Sequence, residues 1–183
     1  NEDYCKANKL QYRMQGKFSQ VYLPMASLNI NFGGGDQVQN YRRELDLTKA
    51  IARVNYTLGK TEYNRTYFVS HPDNVVVVEL TAKGQKAIDA ELSLGGELRY
   101  TITAKDGLLV ADGYAPYNIS FKTKEVSWDE NRGIHFAALV KPVEYDGEVE
   151  CRDGKLYLKG CRRAVLLVTA ATSFNGYDKD PVK

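Results

Sequence analysis

The chain begins with a helical spacing of apolar residues and then changes to a strand spacing. Tyr4, Ala7, Leu10 and Met14 recur on one face at intervals of three and four, which predicts a short helix over 4–17 ended by Gly16. Val21 to Phe32 then alternates or runs apolar around Pro24 and stops at Gly33-Gly34-Gly35, residues whose lack of Cβ suits a flexible loop or a strained turn. Ala52, Val54, Tyr56 and Leu58 alternate with more polar neighbours, the pattern of a half-buried strand. Gly59-Lys60 turns that strand back, so Tyr56 is expected to face Tyr63 across a hairpin. The run Val75-Val76-Val77-Val78-Glu79-Leu80 is too short for an independent helix and predicts a central strand covered on both faces.

Further hairpin punctuation stands at Gly95-Gly96, Asp106-Gly107, Asp129 to Gly133 and Asp153-Gly154, each flanked by short strand-like runs, and Ala164 to Ala170 closes the series. Some ten or more strands joined by tight turns imply two packed antiparallel sheets, because a single open sheet of that size would leave one face uncovered. No fixed-period repeat points to a propeller or solenoid. The expected fold class is therefore all-β, a large antiparallel β-sandwich with a short N-terminal helix, forming a single domain over 1–183.

Composition is consistent with one folded core. At 183 residues the chain is long enough to bury roughly 70% of its unfolded surface. Thirteen tyrosines against two methionines favour strands. The 25 basic and 23 acidic residues are interspersed, with no basic block of the kind that grips nucleic acid. No apolar run approaches the ~20 residues of a membrane-spanning helix. The first residues, Asn1-Glu2-Asp3-Tyr4, carry no initiator Met, and the chain reads as a fragment of a longer protein. A two-residue Asp153-Gly154 turn would set Cys151 opposite Leu156, leaving Cys161 too far along the strand for a disulfide, so Cys5, Cys151 and Cys161 are expected as free thiols. His71 and His135 show no ligand-like spacing to these cysteines, and neither a metal nor another cofactor is expected.

Candidate chemistry is sparse. Neither histidine accompanies a nucleophile motif, and both read as structural. The carboxylate pairs Glu44 with Asp46 and Asp129 with Glu130 read as strand and turn residues rather than a glycosidase acid and base. The glycine run at 33–35 lacks the lysine and helix of a phosphate loop. Three Asn-x-Ser/Thr matches, at Asn55, Asn64 and Asn118, read as chance. Aromatics are the remaining signal. Tyr114, Pro116 and Tyr117 share one loop and Trp128 precedes another turn, and such side chains either stack on sugar rings or pack against a neighbouring domain. They are the candidate carbohydrate or domain contacts; no residue is a candidate catalyst.

Six segments in order carry a resemblance: Tyr22-Leu23-Pro24-Met25-Ala26-Ser27-Leu28, Tyr41-Arg42-Arg43-Glu44-Leu45-Asp46-Leu47, Tyr67 to Val77 with its His71-Pro72-Asp73-Asn74 centre, Gly113-Tyr114-Ala115-Pro116, Gly133 to Ala138, and Thr169 to Phe174. Together they resemble the N-terminal domain of glycoside hydrolase family 95, chiefly α-L-fucosidases with some members preferring α-L-galactosides. The resemblance implies a β-sandwich of the supersandwich type ahead of an (α/α)6 catalytic barrel. It also implies a parent enzyme that hydrolyses terminal α-L-fucosyl linkages with inversion, through acidic residues and an asparagine lying in that barrel. Partners implied are the barrel of the same polypeptide and the oligosaccharide substrate, and the implied location is periplasmic or secreted. The family's opening strands have no counterpart here, which would leave a sheet edge to pair with another chain or to be covered differently.

Three roles follow as expectations. The chain is a non-catalytic scaffold for the barrel, or an independent carbohydrate-binding module using Tyr114, Tyr117 and Trp128, or a structural sandwich unrelated to glycosidases.

Overall fold

The computed structural model describes residues 3–15, 23–33, 37–120, 122–176 and 178–181. One helix, α1 (Tyr4–Met14), starts where the Asp3 carboxylate accepts the Lys6 N–H at 3.0 Å. The expected helix is present, but none of its residues is buried, so its apolar face is not part of the core. Gly16, the expected stop, lies outside the described residues.

Fourteen strands follow among the described residues: β1 (Ser27–Asn31), β2 (Val38–Asp46), β3 (Ile51–Leu58), β4 (Thr61–Ser70), β5 (Val75–Gly84), β6 (Ile88–Gly95), β7 (Arg99–Lys105), β8 (Leu108–Tyr114), β9 (Asn118–Ile119), β10 (Val126–Ser127), β11 (His135–Tyr145), β12 (Glu148–Arg152), β13 (Lys155–Cys161) and β14 (Arg163–Thr172). An eight-stranded antiparallel sheet has the order β2-β3-β4-β5-β14-β11-β8-β7, and a four-stranded one the order β1-β6-β13-β12. β9 and β10 form a separate ribbon. The expected all-β sandwich is the observed fold.

Turn chemistry explains the local pairings. Asp106-Gly107 and Asp153-Gly154 both take positive φ at their two central positions, the geometry that matches strand twist in a two-residue hairpin. The second sets Cys151 opposite Leu156, and all three cysteines are free thiols. Tyr56 does face Tyr63, with their rings stacked 5.3 Å apart.

Three expectations change. Asp129 to Gly133 joins no hairpin: it leads from β10 of the ribbon to β11 of the large sheet, which pair with other strands. Gly95-Gly96 is not a hairpin: it carries the chain from β6 in the small sheet to β7 in the large one, with the Gly96 N–H donating to the Tyr100 hydroxyl at 2.9 Å. β5 is central, but only Val78, Leu80 and Ala82 on its inner side are buried, while Val75, Val77 and Glu79 on the other side are half-buried. The β-branched run therefore reflects a strand flanked by neighbours on both edges rather than covered on both faces.

The core lies between the sheets. Ile88, Leu92, Leu156 and Leu158 from the small sheet meet Leu80, Leu109, Val140 and Leu166 from the large one, all at most 1% exposed. Each such side chain contributes about 1.5–3 kcal/mol of burial. Thr61, a buried polar residue, accepts the Lys86 N–H on its hydroxyl at 2.9 Å.

Candidate functional site

The aromatic candidates sit where β7, β8 and β11 end together. Register places Tyr114 opposite both Arg99 and His135, on the side of the large sheet facing away from the core. The β9–β10 ribbon then brings the loop after β8 beside Trp128, because Ser127 pairs with Asn118 and the Tyr117 N–H donates to Ser127 O at 3.1 Å. Tyr114 meets Trp128 edge-on, with centroids 6.0 Å apart and planes at 78°, and lies 5.9 Å from the His135 ring.

Cations occupy faces of two of these rings. The Arg99 guanidinium lies 4.6 Å from the Trp128 ring centre and that of Arg132 lies 4.2 Å from that of Tyr117. Pro116 is buried and offers no contact surface. The structure thus brings Tyr114 and Trp128 into contact, sets Tyr117 against Arg132, and withdraws Pro116. Arg99 and Arg132 are the partners that sequence reasoning missed, since their positions depend on strand register and on the 129–133 turn.

That turn is tightly made. The Asp129 carboxylate accepts the Asn131 N–H at 2.9 Å, and the Asp129 carbonyl accepts the N–H of Arg132 and of Gly133 at 3.1 and 2.8 Å. His135 Nε2 donates to the Glu130 carbonyl at 2.5 Å, and the Ala115 N–H donates to Ile134 O at 2.9 Å. Gly133 is needed for space: a Cβ there would lie 2.2 Å from Ala115 O. A depression of about 290 Å3 adjoins the cluster, lined by Arg99, Thr101, Asp112, Tyr114, Glu130 and His135 among others.

Elsewhere the carboxylates serve structure. Glu44 pairs with Arg42 at 2.6 Å and Arg53 at 3.6 Å. Asp46 caps the following turn through the Thr48 hydroxyl and the Thr48 and Lys49 N–H groups; the Thr48 hydroxyl chiefly, with the Lys49 N–H, holds its carboxyl below the usual range. No group of three or more metal-ligating side chains occurs among the described residues.

Comparison with known proteins fits this architecture. Residues 1–177 match the family model described as glycosyl hydrolase family 65, N-terminal domain. The chain is 28% identical over 98% of its length to "Alpha-L-fucosidase 2" of Arabidopsis thaliana, of which it spans 23%. It is 34% identical over 45% of its length to "Probable alpha-fucosidase A" of Aspergillus niger, spanning 10% of that protein. A solved structure named "Putative kojibiose phosphorylase from human microbiome" superposes on 83% of this chain with a TM-score of 0.52 at 10% identity, the chain spanning 22% of it. The chain is thus a small part of the length of each relative, and the resemblance to a fucosidase N-terminal domain holds. With nearly the whole chain matched, it belongs to the glycosyl hydrolase family 65 N-terminal domain family.

Proposed function

We propose that this chain is the non-catalytic N-terminal sandwich of a glycoside hydrolase that removes terminal α-L-fucosyl groups, and that it packs against and supports an (α/α)6 catalytic barrel in the same polypeptide. The observation that carries this reading is the end-to-end similarity to an α-L-fucosidase of which the chain spans only 23%. The engagement of Glu44, Asp46 and Asp129 in pairing and turns is consistent with it. The test compares the full-length polypeptide with the 183-residue chain on 2′-fucosyllactose and an aryl α-L-fucoside. Fucose release by the full-length protein alone is expected; release by the short chain would refute the non-catalytic role. Failure of the full-length protein on fucosides and galactosides alike would refute the substrate class.

The aromatic cluster is read as a contact with the neighbouring domain rather than a sugar platform. Stacking a pyranose needs an open ring face, and guanidinium groups already cover a face of Trp128 and of Tyr117. An independent binding module would instead give calorimetric heats with fucosylated oligosaccharides that Tyr117→Ala abolishes. The full-length protein is placed in the periplasm or outside the cell, a reading supported by the family resemblance and checked by fractionation of the native host.

A further inference from the structure

The outer face of the small sheet is polar, with an aromatic ring at its middle. Along β6 and β13, Ile88, Ala90, Leu92, Leu156 and Leu158 are buried toward the core, so the alternate residues Asp89, Glu91, Tyr157 and Lys159 lie on the other face. Register sets Tyr157 between Glu91 of β6 and Glu150 of β12. Beside it, where β1 ends, is a depression of about 530 Å3, lined by Asn31, Phe32, Asp89, Glu91, Tyr157 and Lys159 among others. Small-molecule sites occupy about 300–1,000 Å3, so the space suits a ligand of one or two rings.

Two aromatic rings stand at the depression, each with a cation on its far side. The Arg152 guanidinium is 4.7 Å from the Tyr157 ring centre. Arg152 pairs with Lys155, so it approaches from the start of β13, whereas Lys159 and Asp89 lie toward the end of that strand. The ring is therefore left open on the side of the depression. Phe32 lines both this depression and the adjoining hollow of about 380 Å3 that holds Arg65, whose guanidinium is 3.9 Å from the Phe32 ring centre. Phe32 is thus a wall between the two, with the cation on one side. Such contacts fix the rings before a ligand arrives, and Arg152 is itself tied to Glu150 and Asp153 at 3.9 and 3.6 Å.

The polar groups around the rings are held in place with hydrogen-bonding capacity to spare. Asn31 Oδ1 accepts the Gly33 N–H at 3.0 Å, which leaves Nδ2 to donate. Asp89 Oδ1 accepts the Gly160 N–H at 2.8 Å, which leaves Oδ2 to accept. Glu91 Oε1 accepts from Lys155 at 2.8 Å, and that bond chiefly holds its carboxyl below the usual range, so it stays an ionised acceptor. Lys159 pairs with Glu150. Charges on this part of the face balance, Asp89, Glu91 and Glu150 against Arg152, Lys155 and Lys159. A balanced set favours neither a phosphate backbone nor a cation. It suits a neutral ligand with apolar ring faces and hydroxyls at its rim, which is the chemistry of a pyranose.

We propose that this depression is a glycan-holding site, in which a pyranose unit of a neutral polysaccharide lies against Tyr157 and Phe32 while its hydroxyls bond to Asn31, Asp89 and Glu91. It belongs to the small sheet, whereas Tyr114 ends a strand of the large one, so it is separate from the aromatic cluster read as a domain contact. No bond is made or broken there; the site anchors a polysaccharide chain. The proposal rests on the ring and polar geometry of this face and stands apart from the fucosidase reading.

The experiment is affinity electrophoresis of the full-length polypeptide in native gels that contain galactomannan, arabinoxylan or dextran, neutral polysaccharides without terminal α-L-fucose. Retardation in at least one gel is expected, with an apparent affinity that falls about 10-fold in Tyr157→Ala and in Asp89→Asn and is unchanged in Tyr117→Ala. Asp89→Asn keeps an oxygen for the Gly160 N–H and exchanges the other for an amide, so it reads the ligand contact and decides even where Tyr157→Ala fails to fold. No retardation in any of the three gels, retardation of Asp89→Asn or of folded Tyr157→Ala equal to that of wild type, or retardation lost in Tyr117→Ala would each overturn the proposal. Because no fucoside is present and no turnover is read, the site and the fucosidase reading fail separately.

Discussion

Gly133→Ala should loosen the clasp that holds the aromatic cluster. The new Cβ would sit 2.2 Å from Ala115 O and 3.2 Å from both Asp129 O and Tyr114 Cδ2, and the first of these is backbone that cannot swing aside as a side chain can. Relieving it to an ordinary contact requires the 114–117 loop and the 129–133 turn to part by more than 1 Å. That movement stretches the Ala115 N–H to Ile134 O bond, now 2.9 Å. Overpacking costs about 1–3 kcal/mol and a weakened backbone hydrogen bond about 0.5–1.5 kcal/mol, for a total of about 1.5–4.5 kcal/mol. For a domain of this size that lowers Tm by about 3–18 °C. Urea and thermal unfolding followed by the emission of Trp128, the single tryptophan, measure both the loss and its location. The emission of the folded variant should also shift, because Trp128 leaves the Arg99 guanidinium. A variant whose midpoint changes by less than about 0.5 kcal/mol, with native emission, would show that the clasp yields elsewhere and that the reasoning fails.

Leu92→Ala removes a side chain with no solvent exposure that faces the core between Ile30 and Leu156 on the neighbouring strands, and should cost about 2–5 kcal/mol in urea unfolding; a cost below about 1 kcal/mol would mean that the core collapses around the gap. Asp146 accepts the N–H groups of Arg163 and Arg162 at 2.9 and 2.7 Å, and the Arg163 bond chiefly holds its carboxyl below the usual range. Its folded pKa is thus depressed, so its contribution is present above the unfolded value near ~3.9 and disappears as pH falls through the folded one. The gap in urea midpoint between wild type and Asp146→Ala should therefore narrow below about pH 4, and a gap independent of pH would contradict this. Cys161 is fully buried, and burial pushes its thiol up, so maleimide should modify Cys5 quickly and Cys161 only after denaturation; equal rates in native protein would show that the β13 end of the core opens readily.

Local features of this fold were legible because they depend on a few adjacent residues. Asp106-Gly107 and Asp153-Gly154 demand a particular backbone and received it, and from the second turn alone Cys151 falls opposite Leu156. Which sheet a strand joins does not follow from such signals. Gly95-Gly96 reads like another hairpin but crosses between layers, and β14 enters the large sheet between β5 and β11, a placement set by which apolar faces find each other after the turns have formed. The site divides along the same line. Tyr114, Tyr117 and Trp128 stand out by type, but the arginines over Trp128 and Tyr117 come from strand β7 and from a turn, and only register brings Arg99 opposite Tyr114. The aromatic residues alone suggested either sugar stacking or domain packing. Once the guanidinium groups are placed, stacking on the covered face of Trp128 or Tyr117 requires displacing a cation, at about 0.5–2 kcal/mol each, before any sugar contact is made there. A neighbouring protein surface needs no such displacement, because it can meet the arginines and ring edges as they stand, and this asymmetry favours the domain-contact reading.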